Sequence, residues 1–452
     1  MTLQEQAEAI WRSGVAAVDS ETLVRATITA SETRLRVAVE TFDIGSFRRI
    51  VVVGAGKAGA GMAAGVEASV GNDVVAKKVL GWVNVPSDCV RPLQKIHLHA
   101  ARPAGINEPT VEGVIGSERI LELVSSLTAD DLCLVLISGG GSALLPAPVT
   151  GISLDDKLAV TRFLMRSGAT IQELNTVRKR LSRIKGGGLL RAARHGHMIA
   201  LVISDVPFDP LDIIASGPTV CDSASARDAL RVLETYARRG DPDSAVPASV
   251  WRILEGQSRS MDFRESPAIR CQNVIIGNNQ TALQAAEIKA RALGFEVRLL
   301  GTNRQGIARD VGMELGQLCL KARDESRPHG ICFLAGGEPV VKLASTPKPR
   351  RGGRNQEVAL SAGLCWNDED IQRMVVLSGG TDGEDGPTDA AGAYFDWTIQ
   401  RNARERGLNL DEFLAINDSY TFFDRAGGLL KTGPTHTNVM DLQVGLVAGV
   451  VP

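Results

Sequence analysis

Four times in this chain a short apolar run breaks off into a polar loop rich in glycine or carboxylate. The most extreme run, 374–377, leads through Ser378 into Gly379-Gly380-Thr381-Asp382-Gly383-Glu384-Asp385-Gly386-Pro387-Thr388-Asp389. The run suits a buried strand. The loop, with its four carboxylates, cannot enter a core. Carboxylates this crowded repel one another unless a cation or a hydrogen-bonded polar ligand sits among them. The other runs are 132–137 before Ser138-Gly139-Gly140-Gly141-Ser142, 198–203 before Ser204-Asp205, and 331–335 before Gly336-Gly337-Glu338. Open α/β sheets hold ligands in such loops, at the carboxyl ends of their strands. The pattern predicts an α/β enzyme with a polar, phosphate-handling site.

The 452 residues allow two or three domains with ample cores. Segment 240–272, with Pro242, Pro247 and Pro267 and little apolar period, reads as a linker. The expected domains are therefore 1–245 and 265–452. A net charge of -2 and 4% aromatic residues exclude a basic field or stacking platform for nucleic acid, and a basic field for membranes. The seven cysteines include no CxxC pair, and His97-x-His99 and His195-x-His197 lack zinc spacing. Free thiols, no signal-peptide pattern and no run of ~18 apolar residues make a cytoplasmic protein the expectation.

Along the chain, 3–41 reads as amphipathic helix, with Ala7, Ile10, Trp11, Val15, Leu23, Ile28, Leu35 and Val39 near helical spacing. Strands are expected at 49–53, 79–85, 96–100, 132–137 and 198–203, with helices between several of them. That alternation implies parallel strands with crossover helices. It resumes with strands at 273–277, 296–300, 331–335 and 374–377, a hairpin partner at 340–343, helices between 390 and 423, and a last strand at 429–432.

Gly54-x-Gly56-x-x-Gly59, between a strand and a helix, matches the dinucleotide fingerprint. Such a turn offers anions the free N–H groups of a helix start. It lacks the acidic residue ~20 positions on that a dinucleotide ribose wants, since Asp88 comes late. Lys57 suits a carboxylate or phosphate instead. No P-loop is present. Gly139, Gly140 and Gly141 with Ser138 and Ser142 form a second candidate anion nest. Arg178 and Lys185, in a basic helix end beside glycines, are either solvated or reach phosphate. Arg354, between Gly353 and a helix start, is a better anion binder than Arg350 or Arg351. Asp205, directly after a strand, is placed for catalysis, with turn capping as the alternative.

The strings GAGKAG, LISGGGSALLPAP, LNTVRKRLSRIKGGGLL, DPLDIIASGPT, GGRNQE, LSGGTDGEDGPTDAAGA and TGPTHTNVMDL run in order along nearly the whole chain. Together they resemble the class II glycerate kinases, glycerate 2-kinases with a MOFRL-type carboxy-terminal domain. The resemblance implies a Rossmann-like amino-terminal domain with a mostly parallel sheet, a distinct α/β carboxy-terminal domain, and an active site between them. It implies ATP-dependent, Mg²⁺-assisted phosphorylation of D-glycerate at the 2-hydroxyl. It carries catalytic roles onto Lys57, Asp205 and Arg354. Two departures touch the substrate half. Ala101-Arg102-Pro103-Ala104-Gly105-Ile106-Asn107 replaces a Gly-His-Pro-x-Pro-Asp string, and Phe208 stands where a glycine is usual.

Phosphoryl transfer needs positioning, cations on the phosphates and a group to orient the hydroxyl. On that division Lys57, Ser142 and the glycine nest hold the carboxylate or the phosphoryl group, and Asp205 orients the hydroxyl. Asp382 and Asp385, with Glu338, take the metal–nucleotide, and Arg354 offsets phosphate charge. Gly54, Gly56, Ser138, Arg178, Lys185, Gly337, Gly380, Thr381 and Asn438 complete the expected binding set. Partners are a small hydroxy acid and ATP; homo-oligomerisation stays open. The rivals are a nicotinamide-dependent hydroxyacid reductase and a non-catalytic sugar-acid sensor.

Overall fold

The computed structural model describes residues 1–106, 108–238, 246–259, 267–325, 328–369 and 371–449. The chain forms two compact units, neither contiguous in sequence. The amino-terminal unit is Ser20–Ile203 with Asp209–Ile276; the carboxy-terminal unit is Gly277–Pro452 with Met1–Asp19 and Ser204–Phe208.

The amino-terminal unit holds a six-stranded sheet in the order Ile96–Arg102, Val79–Pro86, Arg49–Ala55, Asp131–Ile137, His197–Ile203, Cys271–Gly277. The first five strands pair in parallel. Arg49–Ala55 and Asp131–Ile137 read as near-continuous apolar runs because both their faces are covered. From Arg49–Ala55 the chain moves outward through two strands, then returns to add Asp131–Ile137 on the other side. The strand order reverses between these two, with Ala55 opposite Ile137. The loops at Gly56 and Ser138 thus start side by side at the switch point, where such sheets bind ligands.

The carboxy-terminal sheet runs Glu296–Arg304, Ile331–Gly337, Asp441–Val447, Met374–Gly380, Gly392–Asp396, Leu429–Leu430. Only the first pair is parallel. Asp441–Val447 runs antiparallel to both neighbours, so Asp441 lies opposite both Gly337 and Gly380. The first residue of one strand therefore sits between the last residues of two others. Helix Leu3–Ala17 packs on helix Asn279–Ala292, and Trp11 Nε1 donates to Gly379 O at 3.1 Å.

Several sequence expectations need correction. The helix expected over 3–41 is two helices, Leu3–Ala17 and Ser20–Thr27, then an antiparallel three-stranded sheet, Ile28–Ala30, Arg34–Val37 and Glu40–Asp43. Leu35 and Val37 are buried while Arg34 and Arg36 are exposed, a period of two that was read as a helical one. The segment read as a linker contains helix Ala248–Arg259, whose Val250, Trp251 and Leu254 enter a core; 240–245 and 260–266 of it lie outside the described residues. Residues 340–343 form no hairpin strand; Val340 makes one isolated bridge to Ile307. The first element after Ala390 is a strand, Gly392–Asp396, not a helix. The central strand Asp441–Val447 was not anticipated at all.

Candidate active site

The two loops of the amino-terminal unit are sewn together at the switch point. Lys57 N donates to Gly139 O at 2.9 Å, and Ala58 N to Ser138 Oγ at 3.1 Å. Gly56, at φ 149°, has no room for a side chain, because a Cβ would fall 1.9 Å from Ser138 Oγ. Its lack of a Cβ makes room for Ser138. Gly54 likewise abuts the backbone of Leu136, so its lack of a Cβ lets two strands lie close. Two basic side chains flank Gly140: a Cβ there would lie 3.5 Å from the Lys57 stem at Cγ and 3.4 Å from Arg102 Nη2. Arg102, 3% exposed, also donates to Ile106 O. The sequence reading noticed Arg102 only as a departure. Its place at the end of strand Ile96–Arg102 was the signal to look.

The next loop residue, Ser142, is a hub. Lys185 Nζ lies 2.6 Å and Arg178 Nη2 2.9 Å from its Oγ, and Ser216 Oγ is 2.9 Å away. Lys185 Nζ also donates to Ser142 O at 2.7 Å. Helix Ile171–Arg180 starts at a Thr170–Glu173 capping box and delivers Arg178 from its last turn. Burial, followed by the charges of Arg178, Lys157 and Lys179, pulls the Lys185 ammonium well below the usual lysine range. Ser216 and its neighbour Ala215 hold left-handed backbone, φ 64° and 49°, a strained pair for residues with side chains. Neither Ser216 nor Lys157 was singled out in sequence. Lys157 was legible, since it shares the buried face of helix Leu154–Arg166 with Val160 and Leu164.

In the carboxy-terminal unit Asp441, fully buried, grips Arg354 in a bidentate pair, with Nε–Oδ2 at 2.6 Å and Nη2–Oδ1 at 2.9 Å. Glu338, on the neighbouring strand end, reaches Arg354 Nη1 at 3.0 Å. Burial opposes the Arg354 charge, but Asp441 and Glu338 outweigh it and hold the guanidinium firmly protonated. The arginine expected to await phosphate is thus already held by two carboxylates. Beside it opens a cavity of 580 Å³, walled by Pro339, Val340, Val341, Leu343 and Pro387, with Arg350 and Arg354 on its lining.

The acidic loop divides by role. Asp385, 1% exposed, accepts from Asn355 N at 3.0 Å and Gln356 N at 2.8 Å, one backbone N–H per oxygen. It caps helix Arg354–Gly363, whose Gly353 cap has no side chain to do so. Burial pushes its carboxyl up to about 7, against those two donors. The residue expected to bind metal has both oxygens engaged by this cap. Thr381 is fully buried, donating to Met440 O at 2.6 Å and accepting from Val439 N at 2.9 Å, so it fastens the loop. Gly337 and Gly380 make room for the backbone of Arg304 and Glu384. Asp382 stays half-buried and accepts from Glu384 N at 3.1 Å. Among the described residues no three His, Cys, Asp or Glu side chains form a metal cage.

Asp205 is half-buried beyond strand His197–Ile203 and accepts from Asn438 Nδ2 at 3.2 Å. The same Asn438 steadies its own loop by accepting from Met440 N at 3.2 Å. Phe208, at φ 65° and 87% exposed, occupies left-handed backbone that a glycine adopts without strain.

Comparison with known proteins gives the family. Residues 6–255 match the DUF4147 model, described as a domain of unknown function, and residues 331–441 match the MOFRL family. A glycerate kinase of Danio rerio is 38% identical over 99% of this chain and 98% of its own length. This chain belongs to the class II glycerate kinases. A glycerate 2-kinase of Pyrococcus horikoshii is 34% identical over 96% of the chain and 94% of its own length. A D-glycerate 2-kinase of Thermotoga maritima is 36% identical over 91% and 94%. The crystal structure of a Thermotoga maritima glycerate kinase superposes with a TM-score of 0.81 at 33% identity, covering 99% of each chain. No helix among the described residues is long and apolar enough to cross a membrane.

Proposed function

We propose that this kinase transfers the γ-phosphoryl group of ATP to the 2-hydroxyl of D-glycerate, with Mg²⁺ on the nucleotide. The observation that carries this reading is that the side chains of Lys57 and Arg102 both border Gly140, at the switch point of a sheet. Two cations over a glycine suit a carboxylate or a phosphoryl group. Similarity to the Pyrococcus and Thermotoga 2-kinases supports the 2-position.

Asp205, oriented by Asn438, takes or directs the proton of the attacking hydroxyl. Lys57 and Arg102 spread charge developing on the transferred group. The cavity beside Arg354 suits a nucleoside, with apolar walls for a base and arginines for phosphates. Magnesium on a nucleotide keeps several waters and needs only one or two protein carboxylates. Half-buried Asp382 fits that need; Asp385, spent on a helix cap, does not. The ion would screen charge between the phosphates.

A reductase reading finds less support. Strand Val79–Pro86 ends without an acidic residue, and Asp88 lies exposed in the next turn. The test is incubation with ATP, Mg²⁺ and D-glycerate, read by phosphorus NMR. The expected product is 2-phosphoglycerate. A 3-phosphoglycerate signal overturns the regiochemistry, and NADH oxidation with hydroxypyruvate but no phosphorylation overturns the kinase assignment.

A further inference from the structure

Ser142 presents a problem of charge. Its hydroxyl accepts from Lys185 at 2.6 Å and from Arg178 at 2.9 Å, which uses both lone pairs, so its own proton goes to Ser216 at 2.9 Å. A neutral hydroxyl satisfies the geometry of two cations but cancels neither charge. Lys157 adds a third cation. It is 8% exposed, its Nζ has no hydrogen-bond partner, and its charge acts on Lys185 while feeling that of Arg178. The nearby carboxylates Asp222 and Asp212 serve Lys179, at 3.2 and 3.6 Å. Among the described residues none pairs with Lys157, Arg178 or Lys185.

Buried like charges without a counter-ion are costly, and a bare buried ammonium more so. A lysine kept only for packing would be replaced at no loss by an apolar residue of its length. Instead helix Leu154–Arg166 devotes a core-facing position to it. The strained backbone at Ala215 and Ser216 holds the second hydroxyl in place at further cost. Ser142 and Arg178 remain half-buried, so the cluster is open to a small ligand on their side.

We infer that Lys157, Arg178, Lys185, Ser142 and Ser216 form a built site for one compact oxyanion, either the carboxylate of the acid substrate or a phosphate group. The cluster at Ser142 stands on its hydrogen bonds with Lys185, Arg178 and Ser216; only the naming of glycerate as a source rests on the kinase reading. An anion here would meet two ammonium groups, a guanidinium and two hydroxyls, and would supply the charge the cluster lacks. Burial, followed by the charge of Arg178, lowers the Lys157 ammonium to about 7, so an anion bound beside it would favour the protonated form.

The test is calorimetric titration of the full chain with D-glycerate, with inorganic phosphate and with ATP, on wild type, Lys157→Met and Arg178→Gln. Methionine matches the length of lysine and suits the apolar wall, so Lys157→Met should fold with a Tm equal to or above wild type. We expect it to weaken one of the two oxyanions at least tenfold and to leave ATP within twofold. Loss in the glycerate arm alone identifies the carboxylate; loss in the phosphate arm alone identifies a phosphate subsite. Either result supports the site even if no glycerate is phosphorylated, in which case the kinase reading falls and the site stands. Should Lys157→Met not fold, Ser216→Ala replaces it in the same titrations. Unchanged binding of both oxyanions in folded variants would overturn the proposal.

Discussion

Asp441 and Asp385 of the carboxy-terminal unit are buried carboxylates that found their partners within the chain: Arg354 for one, the N–H groups of Asn355 and Gln356 for the other. Lys157, Arg178 and Lys185 of the amino-terminal unit are cations that found neutral oxygens of Ser142 and Ser216, or nothing, but no carboxylate. Both clusters stand near the ends of buried strands or helices, and Asp385 and Arg354 in one, like Arg178 and Lys185 in the other, looked in sequence like charge awaiting a ligand. The difference lies in topology. An antiparallel strand brings Asp441 back between two strand ends, within reach of an arginine on the next helix. In the other sheet five strands run parallel and end together at that edge, so counter-charges there come from loops, and the loop carboxylates Asp212 and Asp222 pair with Lys179. A charge cluster implies a ligand only after its internal partners have been counted.

Substitutions can break this contrast, in order of expected size. Asp205→Asn should leave the protein folded and lower kcat by about 10²–10⁴-fold, with little change in the KM for glycerate. A mere turn cap would tolerate asparagine, so an active variant, measured by steady-state kinetics, would return Asp205 to structure.

Asp441→Asn tests the internal pairing. Removing one partner of a buried ion pair costs about 3–5 kcal/mol, which urea denaturation would read directly. A variant as stable as wild type would mean that Arg354 is not held by this carboxylate and is available to phosphate.

Lys57→Ala, in the cationic region, should do the reverse: unchanged Tm and a loss of roughly a hundredfold or more in turnover, ~3 kcal/mol of transition-state stabilisation. Activity within threefold of wild type would leave Lys57 a surface lysine.

The smallest effects separate two residues of one loop. Asp385→Asn replaces one of two acceptor oxygens by a donor facing a backbone N–H, and should cost about 1–3 kcal/mol of stability. Asp382→Asn should leave stability unchanged and raise the Mg²⁺ concentration needed for half-maximal rate. If the two variants exchange these outcomes, the assignment of cap and metal residue is reversed.

The switch-point loops and their lysine were legible from local pattern alone: an apolar run followed by glycines and polar residues marks a strand end wherever it occurs. Lys57, Ser138, Ser142 and Asp205 needed no more than that. The first sheet was misread because Leu35 and Val37 alternate over too few residues to distinguish a period of two from a helical stripe. Strand Asp441–Val447 went unseen because its sequence, with Gln443 and Gly445, lacks the apolar continuity of the other central strands. It is buried by its two neighbours, which lie far away in the chain.

By itself, then, the sequence determined where strands end, which loops are too polar for a core, and that the ordered motifs match one kinase family. Those are properties of short segments, set by hydrophobic periodicity and by the backbone freedom of glycine. Only the tertiary structure decided which charges are spent. Whether Asp385 caps a helix, whether Arg354 is free for phosphate and whether Lys157 lacks a partner depend on residues tens of positions away. Electrostatic pairing follows distance in space and local burial, and neither is written in the spacing of residues along the chain.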